Sequence, residues 1–179
     1  MCNGLCMDFG RRWIKEEEVK GKSILEVGSY NINGSFSSFV KGYKPEKYIG
    51  VDIINGPCVD ELCDAYDLID RFGTNNFDMV ISTEMMEHII DWRKVIWNMK
   101  SLLKVGGVIM ITTRSLGFPK HDHPFDYWRY SVKDMAIIFS DFQIDVIERD
   151  PEFGVFVKAM KISSSNIYDL SNYELYRVV

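Results

Sequence analysis

The stretch ILEVGSYNINGSF, residues 24–36, decides how this chain folds. Its apolar start contains one acid, Glu26, and stops at Gly28; a polar loop with a second glycine, Gly34, then leads to Phe36. An apolar run that breaks at a glycine into polar residues reads as a buried strand feeding a ligand-binding turn. The turn is poor in glycine, with Tyr30 and Ile32 where small residues are usual.

The pattern continues outward from that strand (22–28). A charge-rich amphipathic helix is expected before it, over about residues 8–20. Residues 47–54, KYIGVDII, carry aromatic and β-branched side chains and stop ahead of the breaker pair Gly56-Pro57. Further short strands are read at 58–65 and at 77–82 (FDMVIS). In DWRKVIWNMKSLL, the residues Trp92, Val95, Ile96, Met99, Leu102 and Leu103 share one helical face. Asp91 is placed as the N-cap, and Gly106-Gly107 ends the segment before another strand running to Thr113. A helix over 131–139 and strands at 142–148 and 155–162 complete the order.

Strands that are apolar almost throughout are buried on both faces, as in a parallel sheet wrapped by crossover helices. The expected fold is α/β, a Rossmann-like three-layer sandwich with about seven strands, mostly parallel. The connection at 149–154 is too short for a crossover, so the last strand should run antiparallel. Residues 1–179 read as a single domain, with an N-terminal helix, a core over about 22–162 and a C-terminal extension at 163–179.

The chain has 179 residues, 46% hydrophobic and 26% charged, with a formal charge of −5. That composition is ordinary for a globular protein, and the acidic balance argues against nucleic acid as a partner. No run approaches the roughly 18 apolar residues of a membrane span, and the first residues lack the apolar core of an export signal. A cytoplasmic location is therefore expected. The four cysteines, Cys2, Cys6, Cys58 and Cys63, miss the two-residue knuckle of zinc sites and are expected as reduced thiols. No metal is expected.

In an open α/β sheet, ligands bind beyond the carboxyl ends of the strands. The sequence places Glu26, Gly28, Ser29, Tyr30, Asn31 and Gly34 beyond the first strand and Asp52 and Ile53 beyond the second. Asp64 and Ala65 follow the third, and Ser82, Thr83 and Glu84 follow the fourth. A pyrophosphate site would need G-x-G-x-x-G opening a helix, and the carboxylate of Glu26 suits a cation better than an anion. Asp52 is placed to accept hydrogen bonds from ribose hydroxyls, and Asp64 from an adenine amine. Together these residues describe a site for a nucleoside that carries an amine or sulfonium and no phosphate.

With these motifs in order, the chain resembles the class I S-adenosylmethionine-dependent methyltransferases, in particular the type 11 methyltransferase domain. ILEVGS is similar to the first motif of that family, YIGVDI to the second, CDAYDL to the third, FDMVISTEMMEHIIDW to the fourth and LLKVGGVIMITTR to the strand after it. The resemblance covers about residues 22–130 and implies S-adenosylmethionine as cofactor, with S-adenosylhomocysteine as product. It also implies that the residues just named at the strand ends bind that cofactor. The departure is the opening turn, where Tyr30 and Ile32 replace the family's glycines.

A transferred methyl group needs an aligned nucleophile and, for a protonated one, a base. The candidates are His88, in MMEHII, and His121, His123 and Tyr127, in the loop FPKHDHPFDYWRY. Asp126, Trp128 and Arg129 are expected on the substrate side of the same loop. A small-molecule acceptor, a sugar or another metabolite, is favoured because no separate substrate domain is visible. Two other readings stay open: a catalytically silent cofactor-binding scaffold subunit, and a nicotinamide-dependent oxidoreductase, which the missing glycine fingerprint disfavours. A homodimer or a partner protein that completes the pocket also stays open.

Overall fold

A computed structural model describes residues 4–122, 125–163 and 168–178. Its centre is a seven-stranded sheet of β1 (Ser23–Val27), β2 (Lys47–Asp52), β3 (Glu61–Leu62), β4 (Phe77–Thr83), β5 (Leu103–Arg114), β7 (Phe142–Asp150) and β8 (Gly154–Lys161). The spatial order is β3-β2-β1-β4-β5-β8-β7. Strands β1 to β5 pair in parallel, and β8 runs antiparallel to both β5 and β7. The expected mostly parallel sheet with an antiparallel last strand is what the chain forms. Chain order runs outward from β1 to β3, then returns to β4 on the other side of β1. The crevice at the carboxyl ends of β1 and β4 is therefore the topological switch point.

The alternation of side chains along each strand fills two apolar layers. Leu25, Val27, Val80, Ile109 and Ile111 pack with Leu68 of α4 (Leu68–Phe72), with Trp92, Val95, Ile96 and Met99 of α5 (Trp92–Leu102) and with Met135 and Ile138 of α6 (Val132–Ile138). Their neighbours Ile24, Met79, Ile81, Val108 and Met110 face the other way, onto Cys6 and Phe9 of α1 (Gly4–Trp13), Val19 of α2 (Glu16–Val19) and Val40 of α3 (Ser37–Val40). A sheet apolar on both faces with helices on each is the three-layer arrangement. Lys158 fastens the N-terminal layer to the sheet, donating to Glu18 at 2.6 Å and to the Trp13 carbonyl at 2.9 Å.

Three local expectations need correction. The N-terminal helix is two pieces, because Lys15 turns extended and its N–H donates to Glu18 at 3.0 Å, which restarts the helix as α2. The third strand shrinks to Glu61–Leu62, since the preceding residues form a loop in which Asp60 accepts from the Gly50 N–H at 2.7 Å. The strand expected beyond Gly106-Gly107 starts earlier, at Leu103, and the register against β4 slips between the Phe77 and Met79 pairs. Asp91 caps α5 as expected, accepting from the Lys94 N–H at 3.2 Å. The C-terminal extension holds β9 (Tyr176–Arg177), which pairs antiparallel with β6 (Trp128–Arg129) in a second, two-stranded sheet. Cys6, Cys58 and Cys63 form no disulfide among the described residues, and Cys2 lies outside them.

Candidate functional site

At Gly28 the chain turns with a φ of +76°, and a Cβ there would sit 2.9 Å from the Met85 side chain. Only glycine combines that conformation with so close an approach to the loop after β4. The rest of the turn is held by other means than glycine. The N–H groups of Gly28 and Ser29 donate to the Val51 carbonyl at 2.9 and 3.0 Å, and the Asn31 N–H donates to Pro57 at 2.9 Å. Asn31 Oδ1 accepts from the Gly34 N–H at 2.9 Å, closing the loop on itself. Tyr30 lies against Gly56, where any side chain would run into its ring. A bulky residue in one loop is matched by a bare backbone in the next.

The loop walls a cavity of about 500 Å³ at the switch point. Of the residues expected there, Glu26, Gly28, Ser29, Tyr30 and Gly34 line it from the first strand. Asp52, Ile53, Asp64 and Ala65 line it from the second and third, and Thr83 and Glu84 from the fourth. Two expected residues do not: Asn31 spends its side chain on the loop, and Ser82 is fully buried with its hydroxyl toward the Met85 sulfur at 3.9 Å. Asp52 holds the two loops together, accepting from the Tyr30 N–H at 3.0 Å and the Ile54 N–H at 3.1 Å. Asp64 accepts from the Tyr66 N–H at 2.9 Å.

Glu26 is 1% exposed. Tyr48 donates to it at 2.6 Å and Ser35 at 3.2 Å. Burial raises its carboxyl to about 7, because those hydrogen bonds only partly offset the loss of water. Glu84, in a left-handed conformation at φ +52°, is likewise pushed up to about 7, by burial and by the nearby charge of Glu87 against the pull of Arg114, which lies 2.6 Å away. The site thus keeps two carboxyls near their titration point.

Three of the candidate bases, His88, His121 and Tyr127, line the opposite wall together with Met85, Ile89, Ile90 and Phe125. His123 lies outside the described residues. Between His88 and His121 sits Glu87, fully buried, its Oε2 accepting from the Thr113 hydroxyl at 2.8 Å. Burial lowers the His121 imidazole from its usual range against the attraction of Glu87 and Asp126. Glu87 was not among the sequence-based candidates. Its only signal was its place between Glu84 and His88, and a three-residue 3-10 turn (Met86–His88) has no periodicity from which to read direction.

Asp126, Trp128 and Arg129, expected on the substrate side, are not among the residues that line the cavity. Asp126 and Arg129 form a buried fork–fork pair at 2.5 and 2.7 Å, and Arg129 also donates to the carbonyls of Trp128 at 2.8 Å and Pro119 at 3.1 Å. Burial opposes the charge on Asp126, but Arg129 and the His121 N–H outweigh it and hold the carboxyl at about 2. Trp128 is packed inside and donates its indole N–H to the Ile89 carbonyl at 2.8 Å. These three residues brace the loop that presents His121 and Tyr127. An aromatic-basic tract looks the same in sequence whether it faces a ligand or a core.

Among the described residues, no helix is long and apolar enough to cross a membrane. No curated protein matches the chain in sequence. Solved structures share its fold at low identity. An S-adenosylmethionine-dependent methyltransferase from Mesorhizobium loti is 18% identical with a TM-score of 0.66, over 86% of this chain and 96% of the other. The 1,6-didemethyltoxoflavin-N1-methyltransferase of Burkholderia thailandensis, solved with 1,6-didemethyltoxoflavin and S-adenosylhomocysteine, is 14% identical with a TM-score of 0.67, over 88% and 78%. A chain of the complex between the Haloferax volcanii Trm112 methyltransferase activator and a methyltransferase is 13% identical with a TM-score of 0.61, over 81% and 84%. The model of the methyltransferase domain family matches residues 4–148, which takes in the whole switch-point crevice, and the chain belongs to that family.

Proposed function

We propose that the chain transfers a methyl group from S-adenosylmethionine to a small-molecule acceptor. One observation carries this reading: a single cavity is lined by Glu26 and Gly28, by the acids Asp52 and Asp64, and by His88, His121 and Tyr127 on its far wall. The residues fit the cofactor. Asp52 stands at the end of β2, where a ribose diol would be held, and the buried carboxyl of Glu26 is short of the positive charge that an amino-acid ammonium provides. When bound, S-adenosylmethionine supplies an electrophilic methyl group and a neutral thioether leaving group. The chain's residues hold the cofactor, keep water out and present the acceptor from the His88–His121–Tyr127 wall.

A small acceptor is supported by the size of the cavity and by the toxoflavin-precursor methyltransferase among the structures that share the fold. Calorimetric titration with S-adenosylmethionine followed by a substrate screen tests the reading. Asp52→Ala should weaken cofactor binding by about 1–3 kcal/mol, the usual worth of a charge-assisted hydrogen bond. Unchanged binding in that variant would remove Asp52 from the site. Binding without turnover on any acceptor would favour a scaffold subunit.

The raised carboxyl of Glu26 gives a pH dependence with a definite sign. A cationic ligand favours the ionised form, so binding below about pH 7 should release a proton. Affinity should therefore rise with pH and level off above about 7. Without ligand, the same group should cost stability as pH rises from the ordinary carboxyl value of 4.5 through about 7. Titrations at acidic pH in buffers of different ionisation enthalpy measure the released proton, and Glu26→Gln should abolish the release. Equal proton release in that variant would assign the titration to another group.

A further inference from the structure

Three hydrogen-bond acceptors converge in the wall of the cavity. Glu87 Oε1 and His121 Nε2 have no hydrogen-bond partner among the described residues, although both atoms are buried. They lie 3.9 Å apart, and His88 Nε2 lies 3.8 Å from the same Glu87 oxygen. All three atoms fall within 4.8 Å of one another.

The other ring nitrogens fix the tautomers. His88 Nδ1 is 2.5 Å from the Phe125 carbonyl, which can only accept, so the proton of a neutral His88 resides on Nδ1 and its Nε2 offers a lone pair. His121 Nδ1 is 3.0 Å from Asp126 Oδ2, a carboxylate that Arg129 keeps ionised, and this imposes the same tautomer. Two imidazole lone pairs and a carboxylate oxygen thus point at one another with no proton between them. A proton on one ring would leave contacts of 3.8 and 3.9 Å, too long for a hydrogen bond. A cation placed among the three atoms satisfies all of them.

We propose that Glu87, His88 and His121 form a site for one divalent transition-metal ion, facing the cavity. Two imidazoles and a carboxylate suit such an ion and leave coordination positions open. Ligands of a tetrahedral ion with bonds of about 2.1 Å are roughly 3.4 Å apart, so the contacts of Glu87 with the two rings, at 3.8 and 3.9 Å, need to shorten only slightly. The arrangement of the outer partners supports the proposal: Asp126 behind His121, a backbone carbonyl behind His88 and the Thr113 hydroxyl on Glu87 are what orients metal-binding side chains. From the sequence no metal is expected, because only the fold brings Glu87 and His88 up to His121. Resting on the methyltransferase reading, the ion's open positions would take an alcohol or phenol oxygen of the acceptor and ease loss of its proton to water.

Tag-free protein stripped with a chelator and titrated with Co²⁺ tests the site, with the visible d–d absorption as readout. The proposal predicts one ion per chain without a thiolate charge-transfer band. It further predicts Co²⁺ binding at least about tenfold weaker in Glu87→Gln, His88→Gln and His121→Gln, with circular dichroism melting curves as the control for folding. No uptake at millimolar Co²⁺, undiminished uptake in folded variants, or a thiolate band from the cysteines would overturn it. Titration of the stripped protein with S-adenosylhomocysteine separates the two readings. Co²⁺ uptake without nucleoside binding leaves the metal site standing and removes the methyltransferase reading, and nucleoside binding without Co²⁺ uptake does the reverse.

Discussion

Arg129→Ala is expected to lower folding stability by about 3–5 kcal/mol, the cost of leaving one member of a buried ion pair without its partner. The Arg129 side chain is 2% exposed and that of Asp126 is fully buried, so water cannot replace the lost guanidinium. The carbonyls of Phe118, Pro119 and Trp128 would lose their donor in the same change. Equilibrium denaturation measures the loss. Asp126→Leu combined with Arg129→Met should recover a large part of it, because removing both charges leaves no uncompensated carboxylate. A cost below about 1 kcal/mol for Arg129→Ala, the range of exposed pairs, would contradict the buried arrangement. The same substitution should disturb His121, whose N–H and Nδ1 both rest on Asp126 at 2.9 and 3.0 Å.

Gly50→Ala is expected to cost about 3 kcal/mol, the upper end for forcing an added group into a packed site. A Cβ at this position would lie 2.1 Å from the Cys58 carbonyl oxygen and 2.7 Å from Ser29 Oγ. The oxygen belongs to the backbone, so the loop after β2 must move as a whole. That loop is tied to the strand by Asp60, whose N–H donates to the Gly50 carbonyl at 2.8 Å, and to the cofactor turn through Asn31 and Pro57 at 2.9 Å. Cofactor affinity should therefore fall together with stability. Gly42→Ala is the control, since no atom lies within 4 Å of its added Cβ, and it should change stability by less than about 0.5 kcal/mol. Equal effects of the two substitutions in thermal melts would refute the close approach at Gly50.

The parts of the molecule legible in the sequence are those that a local rule encodes. Strands β1, β2, β4 and β5 are short apolar runs with a breaker at one end, and α5 carries a clear apolar stripe with its cap at Asp91. Because ligand sites in such sheets lie at the strand ends, most of the cavity wall followed from those boundaries alone. Long-range geometry was not legible. The direction of Asp126, Trp128 and Arg129 is set by a two-residue strand paired with Tyr176–Arg177, far along the chain and without periodicity. The approach of Glu87 to His121 depends on a 3-10 turn and on the brace behind the loop, neither of which leaves a pattern in sequence. Nor was it legible that the Asn31 side-chain oxygen would be taken up by its own loop, as short polar side chains often are.

A crystal structure of the protein with S-adenosylhomocysteine tests the central claim most directly. The account predicts the nucleoside in the switch-point cavity, ribose hydroxyls on Asp52, the amino-acid ammonium toward Glu26 and the sulfur facing the wall of His88, His121 and Tyr127. A nucleoside bound elsewhere, or a cavity that stays empty at saturating ligand, would contradict it.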